Sequence, residues 1–295
     1  MTVGPYKRVG NRSQSSAYKS AYQSDYSAVP SNSVIVREAE RVETLLRKLM
    51  CASPDDQTAW EICAAQYPKL KSLNSFAKQI VIRMFRSNPA FQGFKAEFKD
   101  PVLKSHILFL LGTLCDEFDH IHTSPLYGMS VLDVGCGALS PYGTPDDKNG
   151  LTAQFYSEYP PIGAEILQIL GAQTIGIDPR INSKEHYDYQ VSYKHRAMEF
   201  IDIPKFLTTV KNPFDVMVCF NLFNRSGFAF YYSEPHEISG FLRMLKGGLS
   251  PQGLLYCNAP FLPSSPENRQ LNEQVFLGAG LKVVYEGYFL VLQPA

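Results

Sequence analysis

The sequence predicts an α/β fold, with a mostly parallel sheet covered by helices on both faces and an antiparallel pair of strands at its C-terminal edge. Three observations predict it. From about Ser130 onward, short apolar runs alternate with helical stretches, the pattern of strands joined by crossover helices. The first of these runs, Val131-Leu132-Asp133-Val134, passes directly into Gly135-Cys136-Gly137, a turn at the carboxyl end of a buried strand. The last two runs, 281–285 and 288–292, are separated only by Glu286-Gly287, which suits a hairpin on an otherwise parallel sheet.

Residues 1–33 read as a disordered tail. Ser, Tyr, Gln and Asn dominate, and Lys7, Arg8, Arg12 and Lys19 stand against Asp25 alone. Such a segment buries too little apolar surface to offset the entropy of ordering. Tyr6, Tyr18, Tyr22 and Tyr26 interleave with these cations, a composition that could stack on nucleic acid or dock a protein, or simply be solvated.

Residues 34–125 read as a helical region or cap. Ile35, Ala39, Val42, Leu45, Leu46 and Leu49 recur at helical spacing, with Arg37, Glu38, Glu40 and Arg41 on the polar side. Ser53-Pro54-Asp55-Asp56 looks like a helix start ahead of Trp60 and Ile62. A third helix is expected from Ser75 to Arg86 and a fourth from Val102 to Phe118. Capping the mouth of the next domain and packing on its sheet for stability are equal readings of this region.

Residues 126–295 form the α/β domain. Strands are expected at 129–134, 174–177, 191–193, 214–220, 254–257, 281–285 and 288–292, seven in all. Helices are expected at 162–170, 236–245 and 267–277. The connection from Ala138 to Pro161 is too long for a simple turn, so a lid or substrate loop is expected there, with Tyr142, Asp146, Asp147, Phe155 and Tyr156 as lining candidates.

Composition narrows the function classes. The chain has 295 residues, 45% apolar and 19% charged, as expected of a soluble globular protein. Lys plus Arg and Asp plus Glu both count 28, so no dominant nucleic-acid footprint is expected. Cys51, Cys63, Cys115, Cys136, Cys219 and Cys257 form no C-x-x-C pair, and several sit in apolar runs. They read as buried thiols of a reducing compartment, with no metal site. No N-terminal segment looks like a signal peptide, and the most apolar run, Ile107 to Leu114, is too short to span a bilayer. A cytoplasmic protein without a membrane partner is the expectation.

The ends of the strands carry the chemistry. Asp133 closes the first strand ahead of a Gly-x-Gly turn, and Asp178 closes the second, in Thr174-Ile175-Gly176-Ile177-Asp178. Glycine lets the backbone turn sharply and approach a ligand closely. A strand and turn with no ligand would not explain two carboxylates and two glycines at strand carboxyl ends, where such sheets bind ligands.

This layout resembles the class I S-adenosylmethionine-dependent methyltransferases, from about Met129 to the C-terminus. The motif Val131-Leu132-Asp133-Val134-Gly135-Cys136-Gly137 is similar to the family's first motif, and Leu245-Lys246-Gly247-Gly248-Leu249 to its turn before the fifth strand. The resemblance implies a Rossmann-like seven-stranded sheet and S-adenosyl-L-methionine as cofactor. It implies that Gly135, Cys136 and Gly137 lie against the methionine end, that Asp133 orients its amino group, and that Asp178 binds the ribose hydroxyls. Ala197-Met198-Glu199 falls where the family contacts adenine, although His195-Arg196 stands where an acidic residue is often found.

A dinucleotide is the competing cofactor. Its fingerprint needs a third glycine at position 140, which is Ser140, and a helix N-terminus directly behind the loop, where some twenty residues intervene instead.

For catalysis, Asn221 in Cys219-Phe220-Asn221-Leu222 follows the fourth strand, where the family places acceptor contacts. It is the candidate for touching the acceptor or the methionine moiety. The Asn-Pro-Pro-Tyr signature of amide and base N-methylation is absent. His236 is a candidate general base, against the ordinary alternative of a surface residue opening a helix. Phe228, Phe230, Tyr231 and Tyr232 could wall a flat acceptor, or be packing. The favoured acceptor is a small or medium-sized metabolite. RNA or protein is the runner-up, through the basic tail, and a non-catalytic binding protein on the same fold is the reading from another class. The sequence leaves oligomeric state open.

Overall fold

The structure is a computed structural model that describes residues 31–51, 82–84, 101–114, 126–138, 161–179, 191–220, 222–223, 226–229, 231–261 and 265–295, with 65, 75, 79, 86 and 124 singly. The tail before residue 31, the helix expected after Ser53, the connection 139–160, and Asn221, Arg225 and Phe230 lie outside the described residues. So does residue 140, on which the dinucleotide comparison turned.

Seven strands form one sheet in the order β3-β2-β1-β4-β5-β7-β6. They are β1 Ser130–Val134, β2 Gln173–Asp178, β3 Lys194–Ala197, β4 Phe214–Cys219, β5 Leu249–Asn258, β6 Leu281–Glu286 and β7 Phe289–Pro294. Neighbours from β3 to β5 pair in parallel. β7 runs antiparallel to both β5 and β6, so it is the one reversed strand. This is the Rossmann-like, mostly parallel sheet with an antiparallel hairpin that the sequence predicts. Strands covered on both faces read as continuous apolar runs. The four residues Val131 to Val134 are accordingly all buried, Asp133 among them.

Helices cover both faces. On one lie α1 (Asn32–Cys51), α2 (Pro101–Leu114) and α3 (Ile162–Ile169), packed through Ile35, Val42, Phe109 and Ile166 onto Val131, Val216 and Tyr256. On the other lie α4 (Ile203–Thr209), the single turn α5 (Ser226–Ala229), α6 (Pro235–Gly248) and α7 (Pro266–Ala279), packed through Ile203, Phe228, Phe241 and Phe276 onto Leu132, Met217 and Leu255. Local chemistry sets the helix ends. Pro235 opens α6, and the Glu237 carboxylate accepts the Ser233 and Glu234 N–H groups, each at 2.9 Å. Ser265 caps α7 by accepting the Asn268 N–H, and Gly280 ends it at φ 71°.

α1 and α2 share one buried core with the sheet. Asn32 Nδ2 donates to Gln293 Oε1, near the end of β7. Eleven residues on, Glu43 accepts the N–H groups of Tyr288 and Phe289 at 2.7 and 3.2 Å, at the start of β7. Phe289 pairs with Asn258, the last residue of β5. α1 therefore climbs toward the carboxyl edge of the parallel strands, and α2 descends from it. His106 stacks on Phe220 just past β4, with centroids 4.6 Å apart, and Thr113 hydrogen-bonds Tyr256 at 3.0 Å lower down.

The structure moves β3. The apolar run 191–193 precedes the strand, which is Lys194-His195-Arg196-Ala197. As an edge strand it pairs on one side only, and charge at an edge discourages pairing with another chain. Apolarity therefore does not mark it. The short helices α4 and α5 were not expected, and β5 begins at Leu249, five residues before the apolar run at 254–257.

Candidate cofactor site

β1 delivers Asp133 to the carboxyl edge, beside Gly176 of β2 and Val218 of β4 in register. Its carboxylate faces the first turn of α3. A Cβ added at Gly163 would lie 3.2 Å from Asp133 Oδ2, so the glycine leaves room for the acid.

After Val134 the chain turns through Gly135 at φ 77° and Gly137 at φ 87°, a region that side chains disfavour. The N–H groups of Gly135 and Cys136 both donate to Ile177 O, at 2.8 and 3.0 Å. The Gly137 N–H donates to Asp178 Oδ2 at 3.0 Å. The turn is thereby tied to the end of β2 at three points.

Asp178 pairs with Ala197 of β3, and its backbone oxygen accepts the Met198 N–H at 3.2 Å. Asp133, Gly135, Cys136, Gly137, Asp178, Ala197 and Met198 thus meet along one edge of three adjacent strands. Asp178 is 1% exposed, so its carboxylate is held within the sheet edge where it accepts the Gly137 N–H.

The residues expected to meet an acceptor are described in part. His236 is exposed in the first turn of α6, beside Glu237. Phe228 is wholly buried and meets Phe223, Tyr232 and Phe241 with centroids 5.0–5.3 Å apart, so it belongs to the core and not to a wall. Tyr231 and Tyr232 are half-buried. Burial raises the Tyr231 hydroxyl above its usual range, reinforced by the Glu199 and Asp202 charges and a hydrogen bond to Glu199. This joins the segment after β4 to the one after β3. Burial also raises the Cys219 thiol, with Cys257 and Asp133 adding to it, so it is held protonated.

Sequence reading missed Gly163, Tyr193, His195 and Glu165 as parts of this edge. Glu165 on α3 accepts the Ser192 N–H at 2.6 Å and also its hydroxyl, fixing the chain just before β3. One signal was available. Gly176 interrupts an apolar strand, which marks a close approach of another group.

The strand order with its one reversed strand is that of a Rossmann-like sheet, and it sets two carboxylates beside a glycine turn at the carboxyl ends of adjacent strands. No family model and no curated protein sequence matches the chain. Solved structures similar to it include a ribosomal protein L11 methylase from Lactobacillus delbrueckii subsp. bulgaricus, at 13% identity over 59% of this chain and 75% of that one, with a TM-score of 0.33. A TehB-like SAM-dependent methyltransferase from Corynebacterium glutamicum is similar at 14% identity over 56% and 79%, TM-score 0.32. The N-methyltransferase NodS from Bradyrhizobium japonicum is similar at 14% over 57% and 88%, TM-score 0.31. Among the described residues no helix is long and apolar enough to cross a membrane.

Proposed function

We propose that the protein is an S-adenosylmethionine-dependent methyltransferase acting on a small or medium-sized metabolite. The observation that carries the reading is the placement of Asp133 and Asp178 on either side of one glycine turn. The residues suit this cofactor. A carboxylate at the end of β1 complements an ammonium group, one at the end of β2 can accept from two neighbouring hydroxyls, and Met198 offers an apolar side chain beside them. Gly135 and Gly137 let the backbone come close.

When bound, the cofactor supplies an already activated methyl group. The chain's task is then to bind, to align the acceptor for in-line displacement and to exclude water. Asn221 is the residue proposed to contact the acceptor or the methionine moiety, on its place in sequence just after β4. His236 is the proposed base. Unchanged turnover of His236→Ala across pH would remove it from that role.

Calorimetry with S-adenosylmethionine and S-adenosylhomocysteine, on wild type and Asp178→Ala, tests the reading. Binding by the wild type that is lost in the variant supports it, and no binding by the wild type ends it. The balance of 28 cations against 28 anions supports a small acceptor. The basic, Tyr-rich tail supports RNA or protein instead. Labelled methyl transfer into fractionated extract separates these, because label in the RNA or protein fraction that disappears on deleting residues 1–30 favours the macromolecule.

A further inference from the structure

Behind the glycine turn lies a small cluster that the cofactor contacts do not require. Cys136, Ala164 and Tyr193 are buried against one another, with Val191 alongside. Cys136 Sγ lies 3.7 Å from the Tyr193 hydroxyl and 3.9 Å from His195 Nδ1, and the Tyr193 hydroxyl lies 3.0 Å from His195 Nδ1. Cys136 belongs to the turn after β1, Ala164 to α3 and His195 to β3, and Tyr193 is the residue before that strand.

Two features show that the arrangement is built. Gly176 of β2 lies under it, and a Cβ there would stand 2.5 Å from Tyr193 Cε2 and 2.8 Å from Cys136 Sγ. β2 gives up a side chain so that the thiol and the ring can meet. Tyr193 is also fixed from the other side, because Glu165 holds the preceding Ser192 backbone at 2.6 Å. The backbone just before Tyr193 is anchored to α3 and its ring packs beside Ala164, whereas the turn is built around two glycines.

We infer that Tyr193, backed by His195, is a positioning residue for the cofactor loop, holding Cys136 so that the Gly135–Gly137 turn keeps its binding shape before the ligand arrives. The inference rests on the methyltransferase reading for its ligand, and on the cluster alone for its mechanism. A loop ordered in advance loses less entropy on binding. Tyr193→Phe keeps the ring and its apolar contacts and removes only the hydroxyl.

Two measurements on the full chain test it. By calorimetry, Tyr193→Phe is expected to bind S-adenosylhomocysteine about tenfold more weakly, the effect of stranding buried hydrogen-bond partners. The loss is expected to be smaller when Cys136 is already alanine, since the two act through one contact. Without cofactor, alkylation of Cys136 by iodoacetamide, followed on its peptide by mass spectrometry, is expected to accelerate in Tyr193→Phe while the melting temperature holds. His195→Gln, which keeps an acceptor, is expected to fall between the two.

Unchanged alkylation in Tyr193→Phe overturns the inference whatever the cofactor result. Faster alkylation with unchanged affinity overturns it too. If the wild type binds no S-adenosylhomocysteine, the proposed function falls, and alkylation alone decides whether Tyr193 holds the loop.

Discussion

The Gly137 N–H donates to Asp178 Oδ2 at 3.0 Å, so the carboxylate expected to hold a ribose also holds the glycine turn. One side chain carries two tasks, and its substitutions separate them. Asp178→Ala loses the charge-assisted bonds to ligand and loop together and is expected to weaken cofactor binding by about a hundredfold. Asp178→Asn keeps an oxygen for Gly137 but loses one acceptor, and is expected to fall between. Calorimetry reads both, and equal affinity of wild type and Asp178→Ala would remove the residue from the site.

The Gly163 position sets affinity against stability. Alanine favours a helix over glycine by up to about 1 kcal/mol. Here its Cβ would lie 3.2 Å from Asp133 Oδ2, so the carboxylate must give way by a fraction of an ångström. Gly163→Ala is expected to melt no lower than wild type yet to bind S-adenosylmethionine roughly fivefold more weakly. A variant that gains stability and keeps full affinity would show that Asp133 is free to adjust.

Glu165 gives a pH dependence whose sign is fixed. Burial is the largest influence and raises its carboxyl above the ordinary range, outweighing the two bonds from Ser192 that lower it. The folded state therefore holds this proton at a higher pH than the unfolded chain does. Its contribution to stability is full below the ordinary glutamate value and is lost as pH rises through the folded one. Glu165→Gln has one oxygen for the Ser192 N–H and an amide that can donate to the hydroxyl, with no charge to bury. It is expected to melt at or above wild type at neutral pH and to lose the advantage as pH falls through the raised folded value of Glu165 to the ordinary glutamate one. Parallel melting curves of the two proteins across pH 4 to 8 would contradict this.

The placement of Asp133 and Asp178 at the carboxyl ends of neighbouring strands was legible in the sequence because it rests on local pattern. Two apolar strands ending in Asp133 and Asp178, with glycines between, need only neighbouring residues to be recognised. The strand at 194–197 was not legible because an edge strand is polar on its open side. Tyr193 and His195 were hidden for a different reason. They meet Cys136 from 57 and 59 residues away, a contact that depends on the order in which strands pair. Glu43 was hidden in the same way. In the sequence it is one more charged residue on an amphipathic helix, and in the fold it is a buried acceptor at a turn 245 residues away.

That turn carries the last prediction. Glu43 is 3% exposed and accepts from the Tyr288 and Phe289 N–H groups, from Arg47 at 2.6 Å and from the Tyr285 hydroxyl. Burial, with the Glu43 charge added, raises that hydroxyl well above its usual range, so it stays a donor. Removing the carboxylate strands two backbone donors at the start of β7, and Glu43→Ala is expected to cost about 3 kcal/mol in chemical denaturation. Arg47 is 57% exposed, so Arg47→Ala is expected to cost under about 1 kcal/mol. Gly287→Ala attacks the same contact from the other side, because its Cβ would stand 2.6 Å from the Glu43 carboxyl carbon. If α1 is locked to the sheet by this contact, Gly287→Ala destabilises wild type strongly and adds little to Glu43→Ala. Additive losses in that double variant would mean that the hairpin turn and α1 are stabilised separately.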